Sequence, residues 1–187
     1  MHNQVRELLT GYGKIDILWY DFTAQNPDVS WWDKFKHTED WKGVELMALT
    51  RELQPGIIVN DRLGRGVPAD VVTPEQRKTG KWPMWNGKPA PSWETCQTFS
   101  GSWGYYRDET TWKDIRQLLV MIIDNVSKGG NTILNVGPTG RGVFDARAKD
   151  RLSKIGNWMK FNGRSIYGCT LAPAEIKAPE NSILTYN

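Results

Sequence analysis

The stretch Ile15-Asp16-Ile17-Leu18-Trp19-Tyr20-Asp21 decides how this chain is read. Asp16 apart, the residues before Asp21 are apolar, β-branched or aromatic, the types that suit a strand. An acid closes the run. In barrels and open α/β sheets the C-terminal end of a strand faces the ligand crevice. Asp21, held there beside Trp19 and Tyr20, therefore has the placement of a catalytic carboxylate. A turn or helix-capping Asp has the same placement, so this segment alone leaves both readings open.

Working outward, residues 3–12 read as a short amphipathic helix with Val5, Leu8 and Leu9 on one face and Gly11 or Gly13 as its stop. Residues 22–40 are polar and aromatic with Pro27, and read as a long loop. From Asp40 or Trp41 to Leu53 the spacing of Trp41, Val44, Leu46, Met47, Leu49 and Leu53 predicts a helix stopped by Pro55-Gly56. A short strand, 57–60, and the charged turn Asp61-Arg62 follow. Residues 63–92 are rich in Gly and Pro and hold one extended piece, 70–75. Residues 93–99 read as a strand and 100–110 as a loop.

The strongest helix spans 111–127, where Ile115, Leu118, Leu119, Ile122, Ile123 and Val126 recur at helical spacing. Gly129-Gly130 ends it. A strand at 132–136, a tight loop at 137–142 and a helix at 144–161, with Leu152, Ile155, Trp158 and Met159 inward, complete the pattern. Helices alternating with strands imply an α/β fold with parallel strands and helical crossovers. About four or five strands are too few for a closed (β/α)8 barrel, which takes around 250 residues. The chain shows no solenoid repeat.

Composition narrows the function classes. Of the 187 residues, 39% are hydrophobic and 24% charged, as in an ordinary globular protein. The net charge of +3 is scattered, with no basic footprint for nucleic acid and no polybasic membrane segment. No apolar stretch approaches a bilayer span, and 1–4 lead into the first helix without the pattern of a secretory signal. Cys96 and Cys169 form neither a disulfide framework nor a metal-ligand spacing. With His2 and His37 as its two histidines, the chain supports neither a His-based metal site nor a Ser-His-Asp arrangement. Tryptophan is abundant, and several Trp residues fall in loops, where a ring can stack on the apolar face of a sugar. Trp112 and Trp158 read instead as helix core.

Further acids sit at strand ends. Glu75 follows Thr73-Pro74 at the end of an extended piece, and Glu94 opens a strand between Trp93 and Cys96. Retaining glycoside hydrolysis needs two carboxyl groups about 5 Å apart, one attacking the anomeric carbon and one protonating the leaving oxygen. Apolar or aromatic surroundings raise the pKa of the acid partner, and both Glu75 and Glu94 have such neighbours. The structural alternatives are a helix-start acid for Glu75 and a buried, Arg-paired acid for Glu94. Arg62 suits sugar hydroxyls or a catalytic acid equally, and an ordinary salt bridge to Asp61 or Asp70 is its structural alternative. The loop 137–142 sits between strand and helix as a phosphate loop would, but lacks the GK[ST] ending and the GxGxxG spacing. It reads as a tight turn.

Taken together, QVRELLTGYGKIDILWYD, IIVNDRLG, DVVTPEQ, WETCQTFSGSWGY, LLVMIIDNVSKGGNTILNVGPTGRG and LSKIGNWMKFNGRSIYG, in this order up to Gly168, resemble the α-L-fucosidases of glycoside hydrolase family 29. The resemblance implies that Asp21 is the nucleophile and that the acid/base is Glu75 or Glu94, with Glu75 preferred because it follows a strand-like piece. Trp19 and Arg62 match positions that line the fucose pocket, with Tyr20 and Trp93 beside them as further substrate-binding candidates. It implies a fucosylated oligosaccharide or glycoconjugate as substrate, and no metal or organic cofactor.

The resemblance also bounds the fold. The first barrel strands of the family, with the residues that grip the fucose hydroxyls, have no counterpart here, nor has its C-terminal β-sandwich beyond its first residues. The expectation is the second half of a TIM-type (β/α)8 barrel over 1–168, then the truncated start of a β segment over 169–187. Such a half exposes strand edges and apolar interior, so self-association is expected to complete it. A non-catalytic or vestigial sugar-binding fragment is the rival reading. Members of the family are often secreted, periplasmic or lysosomal, and this stretch does not choose among them.

Overall fold

Helix α1 (His2–Gly11) forms where the amphipathic pattern predicts it, with Val5 and Leu9 buried. Gly13, at φ +80, reverses the chain after it. The computed structural model describes residues 1–21, 37–64, 66–76, 82–85, 88–90 and 92–187. Most of the loop expected over 22–40 lies outside the described residues. The chain divides into two units, Met1–Thr73 and Pro74–Asn187.

In the first unit, strand β1 (Ile17–Leu18) pairs in parallel with β2 (Ile58–Val59), Ile17 opposite Ile58 and Leu18 opposite Val59. Between them lie α2 (Thr38–Trp41) and α3 (Gly43–Leu53), so the expected strand–helix–strand crossover is present. The single predicted helix is split in two at Lys42, whose φ of 49 is left-handed. Leu46, Met47 and Thr50 face the core, while Val44, expected there, is exposed. Val44 lies two residues before Leu46, about 200° round the helix, and so points away. The core joins Val5 and Leu9 to Tyr20, Leu46, Met47, Ile57, Val59, Leu63 and Val67.

Gln54, at the C-terminus of α3, clamps the turn between α1 and β1. Its Nε2 donates to the carbonyls of Leu9 and Gly13 at 2.8 and 2.9 Å, and its Oε1 accepts from the Ile15 N–H at 2.8 Å. The ladder of β1 is shorter than the 15–20 expected, because beyond Val59 a side chain replaces the backbone as partner. The extended piece 70–75 is present as two single parallel bridges, Asn60 with Val71 and Glu75 with Cys96.

In the second unit β3 (Met84–Trp85) pairs antiparallel with β4 (Lys88–Pro89), a pairing that the Gly- and Pro-rich composition concealed. Strand β5 (Glu94–Thr98) pairs in parallel with β6 (Asn131–Asn135) over five residues, with α4 (Ile115–Val126) between them in sequence. Helix α4 starts later than predicted because Asp114 caps it: the Gln117 N–H donates to Asp114 Oδ1 at 2.7 Å, and the Asp114 N–H donates to Gln117 Oε1 at 2.8 Å. Trp112 thus precedes the helix, with Arg147 and Arg151 stacked on its ring at 4.8 and 5.0 Å.

Helix α5 (Ala146–Asn162) begins at the Asp145 cap and runs into a 3-10 turn, Gly163–Ser165. Ile155 packs on the cluster of Phe99, Leu118 and Met121, but Leu152, expected inward, is exposed. In the tail, Thr170 and Tyr186 form one antiparallel bridge. Among the described residues no helix is long and apolar enough to cross a membrane.

Trp93 is fully buried, and its Nε1 donates to the Lys128 carbonyl at 3.2 Å. The ring fills the place where a side chain at 130 would stand: a Cβ on Gly130 would come within 2.3 Å of it. Gly130→Ala is therefore expected to cost about 1–3 kcal/mol of stability, the range for overpacking a core. A denaturant midpoint unchanged from the unmodified protein would contradict this packing.

Candidate functional site

The first unit holds Asp21 in place through its neighbour. The Tyr20 N–H donates to Asn60 Oδ1 and Asn60 Nδ2 donates to the Tyr20 carbonyl, both at 2.8 Å, with Asn60 fully buried. The carboxamide stands in for a strand residue and satisfies both polar groups of one peptide position. The Tyr20 ring turns into the core, where its hydroxyl meets Thr50 Oγ1 at 2.8 Å. Burial raises its pKa, against the hydrogen bond to Thr50. With the side chain of Tyr20 anchored inside, Asp21 emerges at the C-terminal end of β1.

Arg62 meets Asp21 there. Its Nη1 donates to Asp21 Oδ1 at 2.9 Å, with 45% of the Asp21 side chain exposed and 14% of that of Arg62. The guanidinium lies over the Trp19 ring, 4.4 Å from its centroid. An ion pair this open contributes about 0–1 kcal/mol to stability, so its consequence is orientation of the carboxylate. Of the two structural alternatives for Arg62, Asp70 bonds Arg51 instead and accepts the Val59 N–H at 2.8 Å.

Asp61 bonds Thr73 and also feels the charge of Arg62. It is buried, and its Oδ1 accepts from the Thr73 hydroxyl at 2.5 Å and the Thr73 N–H at 3.0 Å. Burial raises its carboxyl pKa, opposed by the bonds from Thr73. Thr73 in turn accepts from Arg62 Nε at 2.9 Å. Asn60 and Thr73 did not stand out as site residues in the sequence. The signal available was their position, at the end of β2 and just before Pro74-Glu75.

In the second unit Glu75 pairs in parallel with Cys96 of β5, and the Gln76 N–H donates to the Cys96 carbonyl at 3.1 Å. The Cys96 thiol donates to Glu75 Oε2, also at 3.1 Å. Glu75 itself is exposed. Glu94, the first residue of β5, is half-buried and stands opposite Asn131. It therefore occupies the N-terminal end of its strand. Trp93 is buried on Gly130 and leaves no ring face for a sugar, and Tyr20 is spent on the core in the same way. Trp103, Tyr105 and Tyr106, in the loop after β5, are exposed aromatics of this unit. Asn135, the last residue of β6, donates to the Trp103 carbonyl at 2.7 Å.

Glu109 ties that loop together. Its carboxylate accepts from Ser102 Oγ at 2.6 Å and from the Thr111 hydroxyl and N–H at 2.6 and 2.7 Å. These bonds pull its pKa down to about 2, the Ser102 bond first. The loop 137–142 closes on itself, the Thr139 N–H donating to the Val143 carbonyl and the Gly142 N–H to that of Thr139, each at 2.9 Å. Amides spent this way do not cradle a phosphate, and the tight-turn reading stands. Among the described residues no group of three or more His, Cys, Asp or Glu side chains is placed to hold a metal.

The lowered Glu109 pKa has a signed consequence. Its stabilisation is fully present above the unfolded value of 4.5 and is lost as pH falls toward about 2. The melting temperature of the unmodified protein should exceed that of Glu109→Gln at pH 6, with the gap closing as the pH is lowered through this window. A gap independent of pH would rule the account out.

Comparison with known proteins places these features. The family model described as Alpha-L-fucosidase matches residues 1–164. An alpha-L-fucosidase of Dictyostelium discoideum is 30% identical over 162 residues, covering 78% of this chain and 33% of that protein. Alpha-L-fucosidase isoenzyme 1 from Paenibacillus thiaminolyticus superposes with a TM-score of 0.83 at 37% identity, over 100% of this chain and 44% of that one. A family 29 enzyme of Bacteroides thetaiotaomicron, captured as a trapped covalent intermediate with 2-fluoro-fucosyl fluoride, gives 0.73 at 26% identity over 94% and 42%. The chain thus spans between about a third and under half the length of these relatives. A match running from the first residue past the end of α5 leaves no doubt of kinship: the chain belongs to the alpha-L-fucosidase family.

Proposed function

We propose that this chain carries the nucleophile of a retaining exo-alpha-L-fucosidase, and that its βαβ units are the second half of a (β/α)8 barrel. The observation that carries the reading is the Arg62-held carboxylate of Asp21 at the end of β1, beside Trp19. Asp21 attacks C1 of a terminal α-L-fucosyl group. Glu75 gives its proton to the departing glycosidic oxygen, leaving a fucosyl ester on Asp21. Glu75 then removes a proton from water, which attacks C1, frees Asp21 and releases fucose with its configuration retained. The covalent intermediate of the Bacteroides thetaiotaomicron relative supports this double displacement.

Glu75 is favoured over Glu94 because Glu94 opens β5, whereas ligand crevices lie at the carboxyl ends of parallel strands. Trp19 and Arg62 contact the sugar in this reading. The substrate is a fucosylated oligosaccharide or glycoconjugate, and the chemistry calls for no metal or organic cofactor. Turnover of an aryl α-L-fucoside tests it. Asp21→Ala should lower kcat on the order of a thousandfold or more. Glu75→Gln should slow a substrate with a poor leaving group far more than one with a good leaving group, and Glu94→Gln should not. An unchanged rate in Asp21→Ala would remove the nucleophile assignment.

A second reading is a sugar-binding protein without turnover. It predicts fucose binding with no Asp21-dependent hydrolysis. On either reading an apolar strand face needs cover. Ile17 and Ile58, opposite each other across β1 and β2, are 54% and 43% exposed. As the 187-residue chain, the protein is proposed to self-associate over that face. Light scattering should find a dimer or larger species, and a monodisperse monomer would overturn this part.

A further inference from the structure

Arg62 is gripped on three sides within the first unit. The Trp19 ring fixes the plane of the guanidinium. Thr73 fixes its rotation within that plane, its hydroxyl accepting from Nε at 2.9 Å and its carbonyl from Nη2 at 3.1 Å. The remaining edge then presents Nη1 to Asp21.

What makes Thr73 more than a neighbour is the direction of its hydroxyl. A guanidinium only donates and an ionised carboxylate only accepts. The one proton on Thr73 Oγ1 is committed to Asp61 Oδ1 at 2.5 Å, which leaves lone pairs toward Arg62 Nε. Asp61 also accepts the Thr73 N–H, so backbone and side chain of Thr73 are set by one carboxylate oxygen. Thr73 and Asp61 are both buried, and water does not compete for these bonds.

We propose that Thr73, oriented by Asp61, is a positioning residue that aims Arg62 at Asp21 and so sets the attack direction of the carboxylate. This rests on the reading of Asp21 as nucleophile. A long side chain paired with an exposed carboxylate samples many geometries unless something fixes it. A displacement of about 1 Å in a reacting group can cost on the order of a hundredfold in rate. Thr73 supplies the fixed point, and neither it nor Asp61 needs to touch the sugar.

The test separates the relay from the reaction. In the unmodified protein the Arg62 Nε–H should exchange slowly by NMR, and the Asp21 carboxyl carbon should report its ion pair. Thr73→Val, near-isosteric, should speed the exchange at least about tenfold and move the Asp21 signal, as expected for loss of a charge-assisted hydrogen bond. Thr73→Ser should restore both. Thr73→Ala serves the same comparison should the Val variant not fold. For turnover, Thr73→Val should lower kcat roughly tenfold with KM within about twofold, the pattern of misplaced rather than lost binding, and Thr73→Ser should recover it. Unchanged exchange, or unchanged kcat, in Thr73→Val overturns the proposal. Absence of Asp21-dependent hydrolysis in the unmodified protein overturns the fucosidase reading, and the NMR comparison then decides the relay by itself.

Discussion

The pair of hydrogen bonds between the Asn60 carboxamide and the Tyr20 backbone is the constraint on which the candidate site depends. The parallel ladder of β1 and β2 has only two residue pairs, too few to define where the chain goes next. Asn60 extends it by one position using a side chain. Because Asn60 is fully buried, losing it would strand the donor and acceptor of Tyr20 away from water, at about 1–3 kcal/mol for each unsatisfied group. Asp21 is therefore held through its backbone, and its carboxylate is free to be aimed by another residue.

That aiming falls to Arg62, and the surrounding acids divide the labour. Asp61 is buried and organises Thr73, Asp70 bonds Arg51 and the β2 backbone, and Asp21 meets Arg62. Three carboxylates and two arginines would permit several pairings. For Asp61 burial decides, since a buried carboxylate keeps its charge only where donors satisfy it. In the second unit Glu109 is saturated by hydroxyl and amide donors, while the exposed Glu75 accepts from the Cys96 thiol.

Much of the architecture was legible from pattern. The apolar spacing of 115–126 marks α4, although its start at the Asp114 cap falls later than the predicted 111, and the strand–helix–strand alternation leads to parallel pairing at β1–β2 and β5–β6. Asp21 and Arg62, picked out at strand ends, meet within hydrogen-bonding distance. Where the reading missed, a local cause is visible. Val44 lies off the apolar face that Leu46 and Met47 define, and Leu152 fits a helical period yet faces solvent, because periodicity gives a face and not the partner that covers it. Trp93 looked available to a sugar and is instead packed on Gly130. The antiparallel pair β3–β4 carries no alternation long enough to announce itself.

By itself the sequence determined the order and type of the main elements and the family to which they belong, because helical and strand periods and the spacing of chemical residues are local properties of the chain. Only the tertiary structure decided which acid pairs with which base, that Asn60 serves as a strand residue, and that Thr73 stands between Asp61 and Arg62. Those outcomes turn on burial and on the direction of single hydrogen bonds, across separations of 41 residues for Asp21 and Arg62 and 12 for Asp61 and Thr73. No local pattern encodes such distances; they exist only once the core has closed around them.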